Sequence, residues 1–291
     1  MDYFSAQDFL FKENDSLPER STNYKGPLNK EEGQDILSEE KERLHQLQEK
    51  LYADGTKSLL IVLQAMDAAG KDSLIEHVFK GVNPQGCSVA SFKTPTSKEY
   101  QYDFLRRHIL ELPEKGKIGI FNRSHYESVL VCRVHPEYNL NEKTWEHVTD
   151  FDETFWEERY ESIVDFEKHL SRNGTKIIKI FLNVSKKEQK ARFLDRINEE
   201  DKNWKFSMGD LRERALWEEY QKYYQLALQK TSKPYAPWYV VPADKKWFAR
   251  IAAIQIIIEA LESMQLEFPD LPMEEKQQLS AAKEMLENES E

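Results

Sequence analysis

The chain has 291 residues, a net charge of −11, and 40% apolar content with 12% aromatics. Such a composition excludes a disordered polymer and points to a folded globule, either one large domain or one domain with decorations. No uncharged apolar stretch is long enough to span a bilayer, and the acidic balance argues against a general polyanion-binding surface, so neither a membrane nor a nucleic-acid partner is expected.

The charge is uneven: Glu262 to Glu291 carries nine acidic residues against Lys276 and Lys283, a net −7. The rest of the chain is near neutral and can hold a local basic channel. The start, Met1-Asp2-Tyr3-Phe4-Ser5, lacks the basic and apolar regions of a signal peptide. Cys87 and Cys132 have no metal-ligand spacing and read as reduced thiols of a cytoplasmic protein.

Residues 1–30 have little periodicity and read as an extended arm, laid over the body or mobile. Ile36, Leu37, Leu44, Leu47 and Leu51 predict a helix from Lys30 to about Ala53, closed by Asp54-Gly55. A continuous apolar run, Leu59–Gln64, is the first core strand. Four more strands are predicted at Cys87–Phe92, Lys117–Asn122, Lys176–Asn183 and Trp238–Pro242, with helical patterns from about Lys98 and Lys186. Glu142 to about Leu170 reads as one long aromatic helix, and Asp210–Lys230 as another. Asp244–Met264 reads as a buried closing helix, and Met273–Glu287 as an appended or disordered acidic helix. The expected fold is therefore α/β: a mainly parallel five-stranded sheet with helices on both faces. Residues 31–265 form the main domain, about 185–230 an inserted helical lid, and 266–291 an acidic tail. A homo-oligomer is expected, joined through 142–170 or 30–53 unless those surfaces are core.

Sites in such sheets lie at the carboxyl ends of the strands, where Gln64, Asn122 and Asn183 fall. Ala65-Met66-Asp67-Ala68-Ala69-Gly70-Lys71-Asp72-Ser73 follows the first strand and opens an amphipathic stretch. That is the order of a phosphate-binding loop, in which backbone N–H groups and a helix N-terminus face an anion and a lysine adds charge. It departs from G-x-x-x-x-G-K-[ST] at Ala65 and Asp72. Asp67 inside the loop would repel phosphate unless a cation lay between them, which points to Mg²⁺. The alternative is an ordinary strand-to-helix turn with an exposed lysine.

Asn122 stands where a P-loop kinase places the acid that steadies Mg²⁺. Arg123 next to it suits a phosphoryl group, or else pairs with Glu127. Arg106, Arg107, His108, Arg133 and His135 also follow strands, and Lys186, Lys187, Lys190, Arg192, Arg196, Lys202 and Lys205 lie on the lid. Several cations around one carboxylate–metal centre are what phosphoryl transfer requires, although a charge run is also what a solvated face looks like.

Four ordered motifs carry a family resemblance. They are Met66–Asp72; Phe121–Tyr126 with Val129–Val134; Trp204-Lys205-Phe206 followed by Gly209-Asp210-Leu211; and Trp238–Asp244. Together they resemble the family-2 polyphosphate kinases over about residues 30–265. Asn122 with Ser124-His125-Tyr126 resembles the class III subtype, which phosphorylates both AMP and ADP. The resemblance implies a P-loop kinase core with a helical lid and a requirement for Mg²⁺. By position it implies Asp67 at the metal and acceptor phosphate, and Lys71 on the transferring phosphate. Ala68, Ala69, Gly70 and Asp72 would complete the loop, with Asn122 at the strand end. Arg123 and Arg133 would neutralise charge, and Arg192 or Arg196 would close over the reaction. The expected activity moves the terminal phosphoryl group of inorganic polyphosphate to AMP and ADP, forming ADP and ATP, with the reverse direction open. An ATP-dependent nucleoside or nucleotide kinase and a non-catalytic phosphate-binding module are the alternatives.

Overall fold

The computed structural model describes residues 3–289. The first two residues of the arm and the last two of the tail lie outside the described residues. Five parallel strands form one sheet in the order β2-β3-β1-β4-β5: β1 (Ser58–Gln64), β2 (Cys87–Ser91), β3 (Ile118–Asn122), β4 (Thr175–Asn183) and β5 (Trp238–Pro242). β1 is buried at every residue and lies centrally, as an uninterrupted apolar run must. Its register pairs Leu63 with Asn122 and Gln64 with Phe181, so the ends of β1 and β3 are level and open onto one crevice.

α1 (Lys30–Asp54) starts at Asn29, whose side chain accepts from the Glu31 and Glu32 amides while Glu32 accepts from the Asn29 amide. Gly55, at φ 61°, ends it in a left-handed turn. α1 packs with α2 (Lys71–Val78) and α9 (Lys246–Glu262) on one face of the sheet. The α9 side chains Phe248, Ile251, Ile254 and Ile258 are fully buried. The second face is covered by α5 (Glu153–Arg172) and α8 (Trp217–Thr231), with the single turn α4 (Val131–Val134) against α8. Among the described residues, no helix is long and apolar enough to cross a membrane.

The arm lies on the body. Phe4, Phe9, Phe11, Leu17 and Leu28 are buried. The Phe11 amide donates to Trp238 O at 2.8 Å and the Val240 amide to Phe9 O at 2.8 Å, so the arm pairs antiparallel with the outer edge of β5. That edge is thereby covered. Beyond it Arg20 O accepts from Asn183 Nδ2 at 3.0 Å and Thr22 Oγ1 donates to Asp244 at 2.8 Å.

Three helical expectations need correction. The segment after β2 forms a 3-10 turn at Glu99–Gln101 and one α-turn, α3 (Arg106–Ile109), because Asp103 accepts from the Leu105 amide and fixes a turn there. The aromatic helix begins at Glu153 and not Glu142. Asp152 caps it by accepting from the Phe155 amide, while Asp150 draws in the Glu146 and His147 amides and Lys143 turns left-handed at φ 59°. The stretch 210–230 is two helices, α7 (Met208–Ala215) and α8, broken at Leu216. A straight helix would hold residues 213 and 220 roughly two turns apart. The break instead brings the Glu213 carboxylate to 2.6 Å from the Tyr220 hydroxyl. α6 (Lys186–Asn198), a 3-10 stretch Glu200–Lys205, α7 and α8 all lie between β4 and β5. α10 (Met273–Glu287) stands off the body with every side chain exposed.

Candidate active site

The loop between β1 and α2 is shaped by two left-handed residues, Ala68 at φ 60° and Gly70 at φ 110°. Gly70 admits that angle without strain, whereas Ala68 bears it. The Leu74 amide bonds back to Gly70 O at 2.9 Å, so α2 starts at the loop and aims its N-terminus into the crevice. Lys71 folds over the loop and donates to Ala65 O at 2.9 Å. Burial, and then the Arg123 charge, hold its ammonium below the usual lysine range.

Arg123, on the turn after β3, is a second strained residue, at φ 65°. Its Nη2 donates to Asp67 Oδ1 at 2.9 Å and its Nη1 lies 3.5 Å from Glu127. The structure thus shows the alternative pairing of Arg123 with Glu127, together with a bond to the loop acid Asp67. Glu127 first, then Asp67, raises its affinity for the proton still further. Asn122 Nδ2 donates to Asp72 Oδ1 at 2.6 Å. Asp72, one of the loop's departures, and Asn122, which stands where an acid was expected, are thus partners, with a carboxylate on the helix start and a neutral amide on the strand end.

Arg192 and Arg196 take up places the sequence does not foretell. Arg192 is buried beneath the loop, donating to Ala68 O at 3.1 Å, Ala69 O at 2.6 Å and Ala243 O at 2.6 Å, and to Glu188 at 2.9 Å. It bolts α6 and the β5–α9 turn to the loop. Arg196 pairs with Asp210 at 3.2 Å across the lid. Arg133 is not brought to the loop: it is buried between α5 and α8, donates to Glu153 at 2.6 Å, and lies 5.0–5.9 Å from the rings of Trp156, Tyr160 and Tyr223.

Several groups that sequence reasoning did not select converge here. Asp210 faces Asp67 and Arg123, and burial followed by the Asp67 charge pushes its carboxyl up. Glu213 accepts from Tyr220 and lies 2.9 Å from His135 Nε2. Gln189 donates to Asp67 O at 2.9 Å. Asp210 lies inside a motif the sequence did display, Gly209-Asp210-Leu211, and its spacing carried no signal of convergence. Behind the site, Lys179 of β4 is fully buried with Glu167 at 2.6 Å, the Tyr126 hydroxyl at 2.8 Å and Thr231 O at 2.8 Å. Tyr126 donates to Glu167 at 2.9 Å, and so the network fixes the turn that presents Arg123.

A cavity of about 400 Å³ adjoins this centre. Phe92, Tyr100, Tyr102, Phe104 and Tyr138 line it, with Arg123 and Glu127 at its inner side. Aromatic walls leading to a cation suit a ligand with a flat apolar end and an anionic end.

The chain is similar to known proteins over most of its length. A family model described as polyphosphate kinase 2 matches residues 27–269. An ADP-polyphosphate phosphotransferase of Rhodopseudomonas palustris is 48% identical over 258 residues, covering 88% of this chain and 89% of its own length. An AMP/ADP-polyphosphate phosphotransferase of Meiothermus ruber is 47% identical over 227 residues, covering 78% of this chain and 80% of its own. The crystal structure of polyphosphate kinase 2 from Arthrobacter aurescens superposes with a TM-score of 0.88 at 39% identity, over 97% of this chain and 99% of that one.

Proposed function

The chain belongs to the polyphosphate kinase 2 family, and from that premise we propose that it transfers the terminal phosphoryl group of inorganic polyphosphate to AMP and to ADP in the cytoplasm. The observation that carries this is the double placement of Arg123, which lines the aromatic cavity and also reaches Asp67 of the loop. A nucleotide seated with its base among Tyr100, Tyr102 and Phe104 would bring its terminal phosphate to the group that faces the donor phosphate. The Meiothermus ruber relative is named for both acceptors, and Asn122 with Ser124-His125-Tyr126 fits the same pair.

An oxygen of the acceptor's terminal phosphate attacks the donor's terminal phosphorus in line, and the bridging P–O bond to the shortened polyphosphate breaks. Lys71, the amides that open α2, and Arg123 neutralise the charge on the transferring group. The loop also fits Mg²⁺. Asp67, Asp72 and the Asn122 side-chain oxygen are hard oxygen donors gathered where the loop meets the end of β3, and this is the donor chemistry that the ion takes. When bound, Mg²⁺ would neutralise phosphate oxygens. Asp67 and Asp72 would hold it, while Arg123 keeps Asp67 oriented.

The test is incubation with Mg²⁺, long-chain polyphosphate and AMP or ADP in the absence of ATP, with nucleotides followed by chromatography. ADP and ATP are expected, and Lys71→Ala and Asp67→Ala should each abolish them while the protein remains folded. Product that forms only when ATP is supplied would mean an ATP-dependent kinase. Binding without any product would mean a non-catalytic module.

A further inference from the structure

Four acids line the aromatic cavity: Glu99, Asp103, Glu127 and Glu142. Glu99 gives one oxygen to the Thr96 amide and hydroxyl and pairs through the other with Arg107 at 3.1 Å. Glu127 faces Arg123 at the phosphate end. Asp103 is exposed and accepts from the Leu105 amide. Glu142 differs from these three. Its Oε2 accepts from Arg159 Nη2 at 2.7 Å, while among the described residues its Oε1 has no donor. The side chain is only 16% exposed, so that oxygen is shielded from bulk water and still open to a ligand.

The position of Glu142 is enforced. It ends the 3-10 stretch Pro136–Glu142, and Lys143 then turns the chain away in the left-handed region at φ 59°. Such strain persists only where the surroundings impose it. Arg159, on α5, is buried with its guanidinium 4.4 Å from the Phe104 ring, 4.9 Å from Phe155 and 5.5 Å from Trp145. Its Nη1 is buried without an acceptor, so the ring faces carry part of its charge. A guanidinium caged in this way cannot follow a moving carboxylate. It fixes Oε2 and thereby aims Oε1. A second cavity of about 660 Å³ opens on the Trp145 and Phe155 side, and Glu142 borders both cavities. Without Arg159 the carboxylate would have room to swing out of the first. Burial first, then Cys132 and Glu142, raises the pKa of Tyr100, which places the carboxylate at the aromatic end of the cavity.

An ionised carboxylate only accepts hydrogen bonds. With one oxygen locked and one free, Glu142 is a single-point acceptor. The exocyclic amino group of a 6-aminopurine supplies the one N–H that it needs. The guanine edge carries two parallel N–H donors, which call for both oxygens, and its 6-oxo group would set acceptor against acceptor. We propose that Glu142 reads the 6-amino group of the acceptor's purine and that Arg159 is the positioning residue that aims it. This rests on the seating of the nucleotide argued above. It adds a base preference that the aromatic walls cannot supply, because every base has a face to stack.

The test measures kcat/KM with long-chain polyphosphate as donor in wild type, Glu142→Gln and Arg159→Met. The acceptors are AMP, purine riboside 5′-monophosphate (AMP without its amino group) and GMP. Wild type should favour AMP over the other two by about ten-fold or more, the worth of one hydrogen bond to a charged acceptor. In Glu142→Gln the amide oxygen stays with Arg159 and the NH₂ turns to the cavity. No acceptor then meets the amino group, and the preference over the deaminated analogue should fall to within about two-fold. In Arg159→Met the carboxylate remains but is no longer aimed, and the same loss should follow. KM for polyphosphate should hold in both variants, which a general loosening of the site would not allow. A wild type that uses the analogue or GMP as well as AMP overturns the proposal, as does a Glu142→Gln variant that keeps the wild-type preference. A folded Arg159 variant that keeps it overturns the positioning role; Arg159→Lys, a flexible single donor, serves where methionine in the cage does not fold. Absence of product with every acceptor overturns the phosphotransfer reading instead. Calorimetric binding of AMP against the analogue then decides the base reading, and equal affinity refutes it.

Discussion

Lys179→Met tests how the scaffold behind the site is held. The three N–H donors of the buried ammonium each have an acceptor, at 2.6 Å (Glu167), 2.8 Å (Tyr126) and 2.8 Å (Thr231 O). Methionine has a similar volume, so packing changes little, but the Glu167 carboxylate is left wholly buried beside Tyr126 and His125 without its counter-charge. Removing one partner of a buried pair costs about 3–5 kcal/mol. Replacing both, as in Lys179→Met/Glu167→Gln, removes the stranded charge and should recover at least half of the loss. Urea unfolding followed by tryptophan fluorescence is a direct assay, because Lys179 Nζ lies 5.3 Å from the Trp238 ring. Residual activity per folded molecule should fall in the single variant, since Tyr126 holds the turn bearing Arg123. A loss below about 1 kcal/mol, or a double variant no more stable than the single one, would refute the reasoning, because a stranded charge must cost more than its removal.

Arg192→Lys should raise KM for the donor about ten-fold and cost about 1–3 kcal/mol, because lysine cannot bridge Ala68 O, Ala69 O and Ala243 O together; steady-state kinetics and thermal melting check both. His108 is buried against Phe104 O, and burial, then His125 and Arg107, lowers its pKa from 6.5 to about 2. The unfolded chain therefore takes up a proton first as pH falls, so this stability is present above pH 6.5 and lost below it, at up to about 1.4 kcal/mol per pH unit. The urea midpoint measured between pH 7 and 5 should fall less steeply in His108→Asn, whose amide keeps a donor toward Phe104 O. Ala68→Gly should relieve the left-handed strain and change stability by less than about 1 kcal/mol, while a loosened loop lowers kcat.

Most of the strands were legible because they are short apolar runs bounded by turn residues, and β5 matches its predicted limits at Trp238 and Pro242; β2, at the sheet edge, carries two serines and no buried residue. The loop was legible for a similar reason, since Asp67, Gly70 and Lys71 are contiguous. What the sequence withheld was direction and partnership. Arg133 and Arg192 follow the composition of a phosphate site, yet one sits in an aromatic cage and the other clamps carbonyls. A guanidinium satisfies all of these surroundings with the same fork, so residue type alone does not separate them. Asp210 and Glu213 reach the site only because α7 breaks from α8 at Leu216, where neither proline nor glycine marks a break. The pairing of Asn122 with Asp72 joins two oddities fifty residues apart, and only the level ends of β1 and β3 bring them together.

The arm along β5 has a consequence for the order in which the molecule is made. Residues 9–11 leave the ribosome ahead of the sheet they join, and their partners at 238–240 are among the later residues of the main body. Until those emerge, Phe4, Phe9 and Phe11 have no seat, and the arm must wait through the synthesis of more than two hundred residues. Long-range pairings of this kind are slow and leave apolar surface exposed meanwhile. A segment made well before its partner is therefore fixed at the end of folding, as a fastener across a sheet that must already be complete.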